Sequence, residues 1–97
     1  MSLLIVVAEM TAKQGKEDDL RQTLLGLIGP TRQEAGCVQY DLHEDNAQPG
    51  RFLFFEKWES QEHLDRHLVT PHLEVLKSRM GELLAEPLRL LRMTQIG

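Results

Sequence analysis

The chain has 97 residues, a formal net charge of -4, and apolar and charged fractions of 41% and 27%. That is the profile of one ordinary globular domain, 1–97, burying only about 60–65% of its unfolded surface. The acidic balance and the scattered Arg79, Arg89 and Arg92 argue against nucleic-acid binding, which neutralises phosphates with clustered Lys and Arg. Cys37 is the only cysteine and has no internal disulfide partner, which fits a reducing compartment. The apolar run Leu3–Ala8 has no basic residue before it and is too short for a membrane span, so a cytoplasmic protein that does not enter the membrane is expected.

Leu3 to Ala12 reads as a strand, apolar on both faces, with Leu3, Ile5 and Val7 on one and Leu4, Val6, Ala8 and Met10 on the other. Glu17, Asp18 and Asp19 place negative charge at the start of a helix whose apolar stripe is Leu20, Leu24, Leu27 and Ile28. Pro30 is expected to break or kink that helix, and a short second one, Thr31 to Ala35, can restart there and be stopped by Gly36. Val38 to Glu44 and Arg51 to Glu59 form a hairpin across the turn-rich 45–50. Ser60 caps a helix to about Val69, and Thr70-Pro71 starts another with Leu73, Leu76, Met80, Leu83 and Leu84 on one face. Pro87 ends it, and Leu88 to Ile96 alternates as a last strand.

Strand, helix, strand, strand, helices, strand is the order of an α+β domain of the ferredoxin-like split β-α-β type, with a four-stranded antiparallel sheet. In that fold the helices cover one sheet face. Because the first and third strands are apolar on both faces, the second face needs a cover, and a homodimer packed sheet against sheet supplies it.

The chemistry-bearing residues cluster between positions 40 and 72. Glu56 shares a strand face with Phe52, Phe54 and Trp58, where a carboxylate is costly unless paired. It reads either as one half of a salt bridge or as a pocket carboxylate that orients a base or substrate. Trp58 reads as packing first and pocket wall second. His67 stands about 60° from Leu64 round its helix, neither core nor surface, and is either a structural histidine or a general base. His72 follows the Thr70-Pro71 start and lies near a site mouth. Tyr40 is a core tyrosine or a phenol that steers a substrate. His63 and His67 have metal-ligand spacing, but no H-E-x-x-H motif and no third ligand accompany them, so no metal is expected. Cys37 is not expected to act as a nucleophile, and there is no phosphate loop or dinucleotide fingerprint.

The stretches Lys13-Gln14-Gly15-Lys16-Glu17, Pro30 to Cys37 leading into Tyr40, Glu56-Lys57-Trp58 with Ser60, and His67 with Thr70-Pro71-His72 occur in an order and spacing that resembles the antibiotic biosynthesis monooxygenase (ABM) domain family and its small quinol monooxygenase-like proteins. The resemblance covers nearly all of the chain. It implies a dimeric α/β barrel and, with no metal or other cofactor, oxidation of a small quinol or related electron-rich aromatic by O2. By the same resemblance His67 is the candidate base, Glu56 and Tyr40 are polar orienters, and Trp58, Phe54 and His72 are substrate-binding. Relatives that degrade haem are expected to carry an asparagine on the first strand, and none lies between Leu3 and Ala12. A non-catalytic dimer that binds a small apolar ligand and an isomerase of a small carbonyl compound are the alternatives.

Overall fold

The computed structural model describes residues 2–97. Its elements in chain order are β1 (Leu4–Thr11), α1 (Glu17–Arg32), β2 (Cys37–Glu44), β3 (Arg51–Trp58), α2 (Gln61–His67), α3 (Pro71–Leu83) and β4 (Arg89–Met93). The four strands make one antiparallel sheet in the order β2-β3-β1-β4, which is the expected ferredoxin-like α+β topology. Among the described residues no helix is long and apolar enough to cross a membrane.

Strand parity decides which side chains face the helices. Val6, Ala8 and Met10 of β1 are buried on that face, as are Phe52, Phe54, Glu56 and Trp58 of β3 and Tyr40 of β2. The helices bury Leu20, Leu24 and Leu27 from α1, Leu64 from α2, and Leu73, Leu76 and Leu83 from α3 against them. Each such side chain contributes roughly 1.5–3 kcal/mol on removal from water, so the three-element helical layer is anchored mainly by leucine.

On the opposite face the ladder sets Phe55, Val7 and Leu91 in one row and Lys57, Ile5 and Met93 in the next. Ile5 is buried, while Val7, Phe55 and Leu91 keep partial exposure and Met93 is exposed. Glu9 ends this apolar strip between Arg51 at 3.7 Å and Arg89 at 3.6 Å.

Pro30 does not break α1. The helix runs through it to Arg32, with Gln33 as its C-cap, so the separate piece Thr31 to Ala35 does not form. Part of the restriction that proline imposes on the preceding residue is a clash with that residue's Cβ, and Gly29 has none. Only the final turn lies beyond Pro30, so few helical bonds are at stake. The last strand is also shorter than its alternation suggests, ending at Met93 rather than Ile96.

Candidate active site

Two caps place the histidines. Ser60, extended at φ -160°, accepts the His63 N–H at 3.2 Å and lies 2.7 Å from His63 Nδ1, fixing the first turn of α2. Thr70 Oγ1 donates to the His67 carbonyl at 2.8 Å and accepts from the Leu73 N–H, so one hydroxyl ends α2 and starts α3. Pro71 takes the first helical position, where a missing N–H costs nothing. Lys77 Nζ donates to the Leu68 carbonyl just past α2. This tight corner holds His67, in the last turn of α2, close to His72, in the first turn of α3, with ring centroids 6.1 Å apart.

A third residue reaches the pair from the turn between α1 and β2. Glu34 donates its N–H to the Thr31 carbonyl at 3.0 Å and accepts from the Cys37 N–H at 3.3 Å. Gly36 makes that turn possible at φ +83°, and the His63 ring packs where a Cβ would stand. Glu34 Oε2 lies 2.7 Å from His67 Nδ1 and 2.8 Å from His72 Nε2. A carboxylate only accepts, so both ring nitrogens donate to it, and in neutral His67 the acceptor nitrogen is Nε2.

The other flank of His67 is aromatic. Trp58 lies tilted against it at 4.7 Å between centroids, Tyr40 meets it edge-on at 5.5 Å, and Tyr40 stacks on Phe54 at 4.4 Å. Trp58 Nε1 donates to Glu56 Oε1 at 2.8 Å, and Tyr40 is the direct cross-strand neighbour of Glu56. Between these groups and the helices lies a cavity of about 30 Å³, walled by Tyr40, Phe54, Glu56 and His67 with Ala8 and Leu90 among its aliphatic lining. It is large enough for a water or a diatomic molecule and too small for an aromatic ring.

Burial shapes the acid-base character of each group. It raises Glu56 to about 7, opposed by the Trp58 hydrogen bond and reinforced by the charge of Glu34. It pushes the Tyr40 phenol far above its ordinary range, with the Glu56 charge acting in the same sense. It lowers His67, against the hydrogen bond and charge of Glu34, which favour the protonated ring. The half-buried Cys37 thiol is raised to about 11 by desolvation and the neighbouring carboxylates, so thiolate is scarce at neutral pH.

Four of the six residues singled out in the sequence therefore meet round one cavity: Tyr40, Phe54, Glu56 and His67. Trp58 stands behind it and positions Glu56 and the His67 ring, while His72 lies beyond Glu34, on the side away from the cavity lining. Both Glu56 and Trp58 point under the helices rather than to the outer face, and the carboxylate has an indole partner instead of a salt bridge. His67 is 2% exposed, deeper than its place on the helical wheel suggests, because Trp58 and Tyr40 close over it. The His63–His67 spacing assembles nothing, since His63 turns to Ser60 and Gly36. Glu34 is the residue sequence reasoning missed: it sits in a polar, non-periodic turn, with no spacing signal linking it to His67. Glu34, His67 and His72 each offer one potential metal-ligand atom, all within 4.8 Å of one another.

Comparison with known proteins agrees with this architecture. The family model for antibiotic biosynthesis monooxygenase matches residues 3–79. The chain is 37% identical over 86 residues to the "Putative monooxygenase Rv0793" of Mycobacterium tuberculosis, covering 89% of this chain and 84% of that one. It is 29% identical over 103 residues to the "Probable quinol monooxygenase YgiN" of Escherichia coli, covering 93% and 97%. It spans only 57% of the length of another relative, the Synechocystis protein sll1783, to which it is 32% identical. The solved structure of PA3566 from Pseudomonas aeruginosa superposes with a TM-score of 0.95 at 31% identity, covering 100% of this chain and 97% of that one. The chain belongs to the antibiotic biosynthesis monooxygenase family.

Proposed function

We propose that the domain is a cofactor-independent monooxygenase that oxidises a small quinol or related electron-rich aromatic with O2. The observation that carries this reading is the His67 ring, held by Glu34 on one nitrogen and set in the wall of a largely apolar cavity by the rest of its surface. Nε2 takes a proton from the substrate hydroxyl. The electron-rich anion transfers one electron to O2, and the two radicals combine into a carbon-bound peroxide that His67 reprotonates. Loss of water, which carries off the hydrogen of the oxidised carbon and one oxygen atom, leaves the quinone carbonyl. The chain contributes orientation, a base and exclusion of bulk water. Tyr40 and Glu56 orient the substrate, Trp58 and Phe54 shape the wall, and His72 supports Glu34 from outside. The cavity accommodates O2 as it stands, and a substrate ring enters by displacing lining side chains such as Leu90.

The E. coli relative's name points to the substrate class. Oxygen uptake and quinone absorbance with a panel of quinols test the proposal. Enzyme-dependent uptake supports it, and none across the panel overturns it. The small cavity also favours a second reading, a non-catalytic domain that binds a small apolar ligand; such a ligand raises the melting temperature without turnover.

The proposal includes a homodimer through the outer sheet face. The strip of Ile5, Val7, Phe55, Leu91 and Met93 is the kind of continuous apolar surface that a soluble protein covers.

A further inference from the structure

We propose that Glu34, His67 and His72 form a binding site for a single divalent late first-row transition ion, of which Zn²⁺ is the representative. His67 Nδ1 and His72 Nε2, from two helices, are aimed at the same oxygen, Glu34 Oε2, at 2.7 and 2.8 Å. Two imidazole nitrogens directed at one point are the costly part of a chelate, and here the Thr70 corner already holds them. Coordination needs both nitrogens about 2.1 Å from the ion. Withdrawal of the Glu34 side chain, with the two rings closing on the vacated point, makes that space and leaves its carboxylate as the third ligand.

The donor set selects the ion. Two imidazoles and one carboxylate suit zinc and its late first-row neighbours, whereas magnesium and calcium prefer all-oxygen sites. The surroundings also fit. His67 is buried, but the side chains of Glu34 and His72 keep 14% and 19% exposure, and His72 lines an open groove between α1 and α3 with Thr23, Gly26 and Arg79. An ion enters there, and water completes its coordination from the same side. Two nearby cations oppose it, and each is held by a carboxylate: Lys77 by Glu74 at 3.2 Å and Arg79 by Glu82 at 2.9 Å.

This site lies behind the proposed base, and its occupancy has a consequence for that base. When Nδ1 coordinates an ion, the neutral His67 ring carries its proton on Nε2 and no longer accepts one from a substrate. The site therefore acts as a metal-operated brake on the monooxygenase reaction, but ion binding itself does not depend on that reading.

The test is calorimetric titration of the untagged, chelator-treated full chain with ZnCl₂, with MgCl₂ as a control. Saturable binding of one Zn²⁺ per chain at micromolar concentration is expected, with none for Mg²⁺. His72→Ala and Glu34→Gln, both at partly exposed positions, each weaken it at least about tenfold, while His43→Ala leaves it unchanged. Thermal melts of each variant confirm folding. Absence of saturable Zn²⁺ binding, equal binding of Mg²⁺, or binding that survives His72→Ala but not His43→Ala overturns the site. No quinol turnover enters the measurement, so it separates failure of this site from failure of the oxygenase reading.

Discussion

Glu34 and His67 are 33 positions apart in the chain and 2.7 Å apart in space, Oε2 to Nδ1. The contact joins the turn after α1 to the last turn of α2 and fixes which nitrogen of His67 is free. His67→Ala is expected to lower kcat for quinol-dependent oxygen uptake by about 10²–10⁴-fold with little change in KM. Glu34→Gln weakens the orientation and is expected to cost roughly 10-fold. An unchanged kcat in His67→Ala, at unchanged melting temperature, removes His67 from the mechanism.

Glu56 makes stability depend on pH. Its folded value of about 7 lies above the ordinary 4.5, so the folded chain binds a proton that the unfolded chain has already released in that interval. The stability it contributes is therefore complete below the lower value, declines as pH rises, and is lost above about 7. Glu56→Gln stays neutral and keeps an acceptor for Trp58. It should exceed the parent in stability by on the order of 3 kcal/mol at about pH 8 and match it near pH 4. Chemical denaturation at the two pH values reads the difference. A variant that is less stable at pH 8 shows that the charged carboxylate is stabilised by groups other than Trp58.

Gly36 meets two demands at once, φ +83° and a His63 ring atom 2.2 Å from where a Cβ would lie. Gly36→Ala is expected to cost at least about 2 kcal/mol, from the left-handed backbone and the displaced ring together. Because the same turn carries Glu34, the variant should also lose hydrogen-bond order at His67, visible in imidazole ¹⁵N spectra. A loss below 0.5 kcal/mol would show that the turn re-forms freely.

Phe55 stands in the middle of the outer apolar strip, between Asp41 on β2 and Val7 on β1. Phe55→Glu is expected to convert a dimer into a folded monomer, measured by sedimentation velocity. A wild-type chain that sediments as a monomer at all concentrations removes the dimer from the proposal.

The fold was legible because each element carried its own local signal. The Leu20–Leu24–Leu27 stripe, the β3 alternation and the Ser60 and Thr70 caps all act within a few residues of one another. Proline's effect on α1 depends on the neighbour and on position: Gly29 lacks the Cβ that contributes to the conflict with the proline ring, and only the last turn lies beyond it. Strand parity put Phe54, Glu56 and Trp58 on one sheet face, but it left open whether that face met the helices or a second copy, and the helical wheel placed His67 at neither core nor surface. Glu34 was not legible, since its partners are made by the tertiary approach of two helices to a turn, and no spacing in the chain encodes that approach.

One residue with no evident side-chain task carries a consequence. β2 and β3 fall out of step between Cys37 and Gln39, so that Val38 is the extra residue of the bulge, half exposed and packing little. It works as a spacer. On one side of it the chain must deliver Glu34 to the histidines, and on the other it must turn Tyr40 inward beside Glu56. Side-chain replacement at 38 should be silent. Deleting the residue lets Cys37 and Gln39 follow one another opposite Trp58 and Lys57, which keeps Tyr40 beside Glu56 but straightens the strand and pulls the Glu34 turn away from the histidines. The residue count at this bulge, more than the identity of any residue in it, keeps both halves of the site in phase.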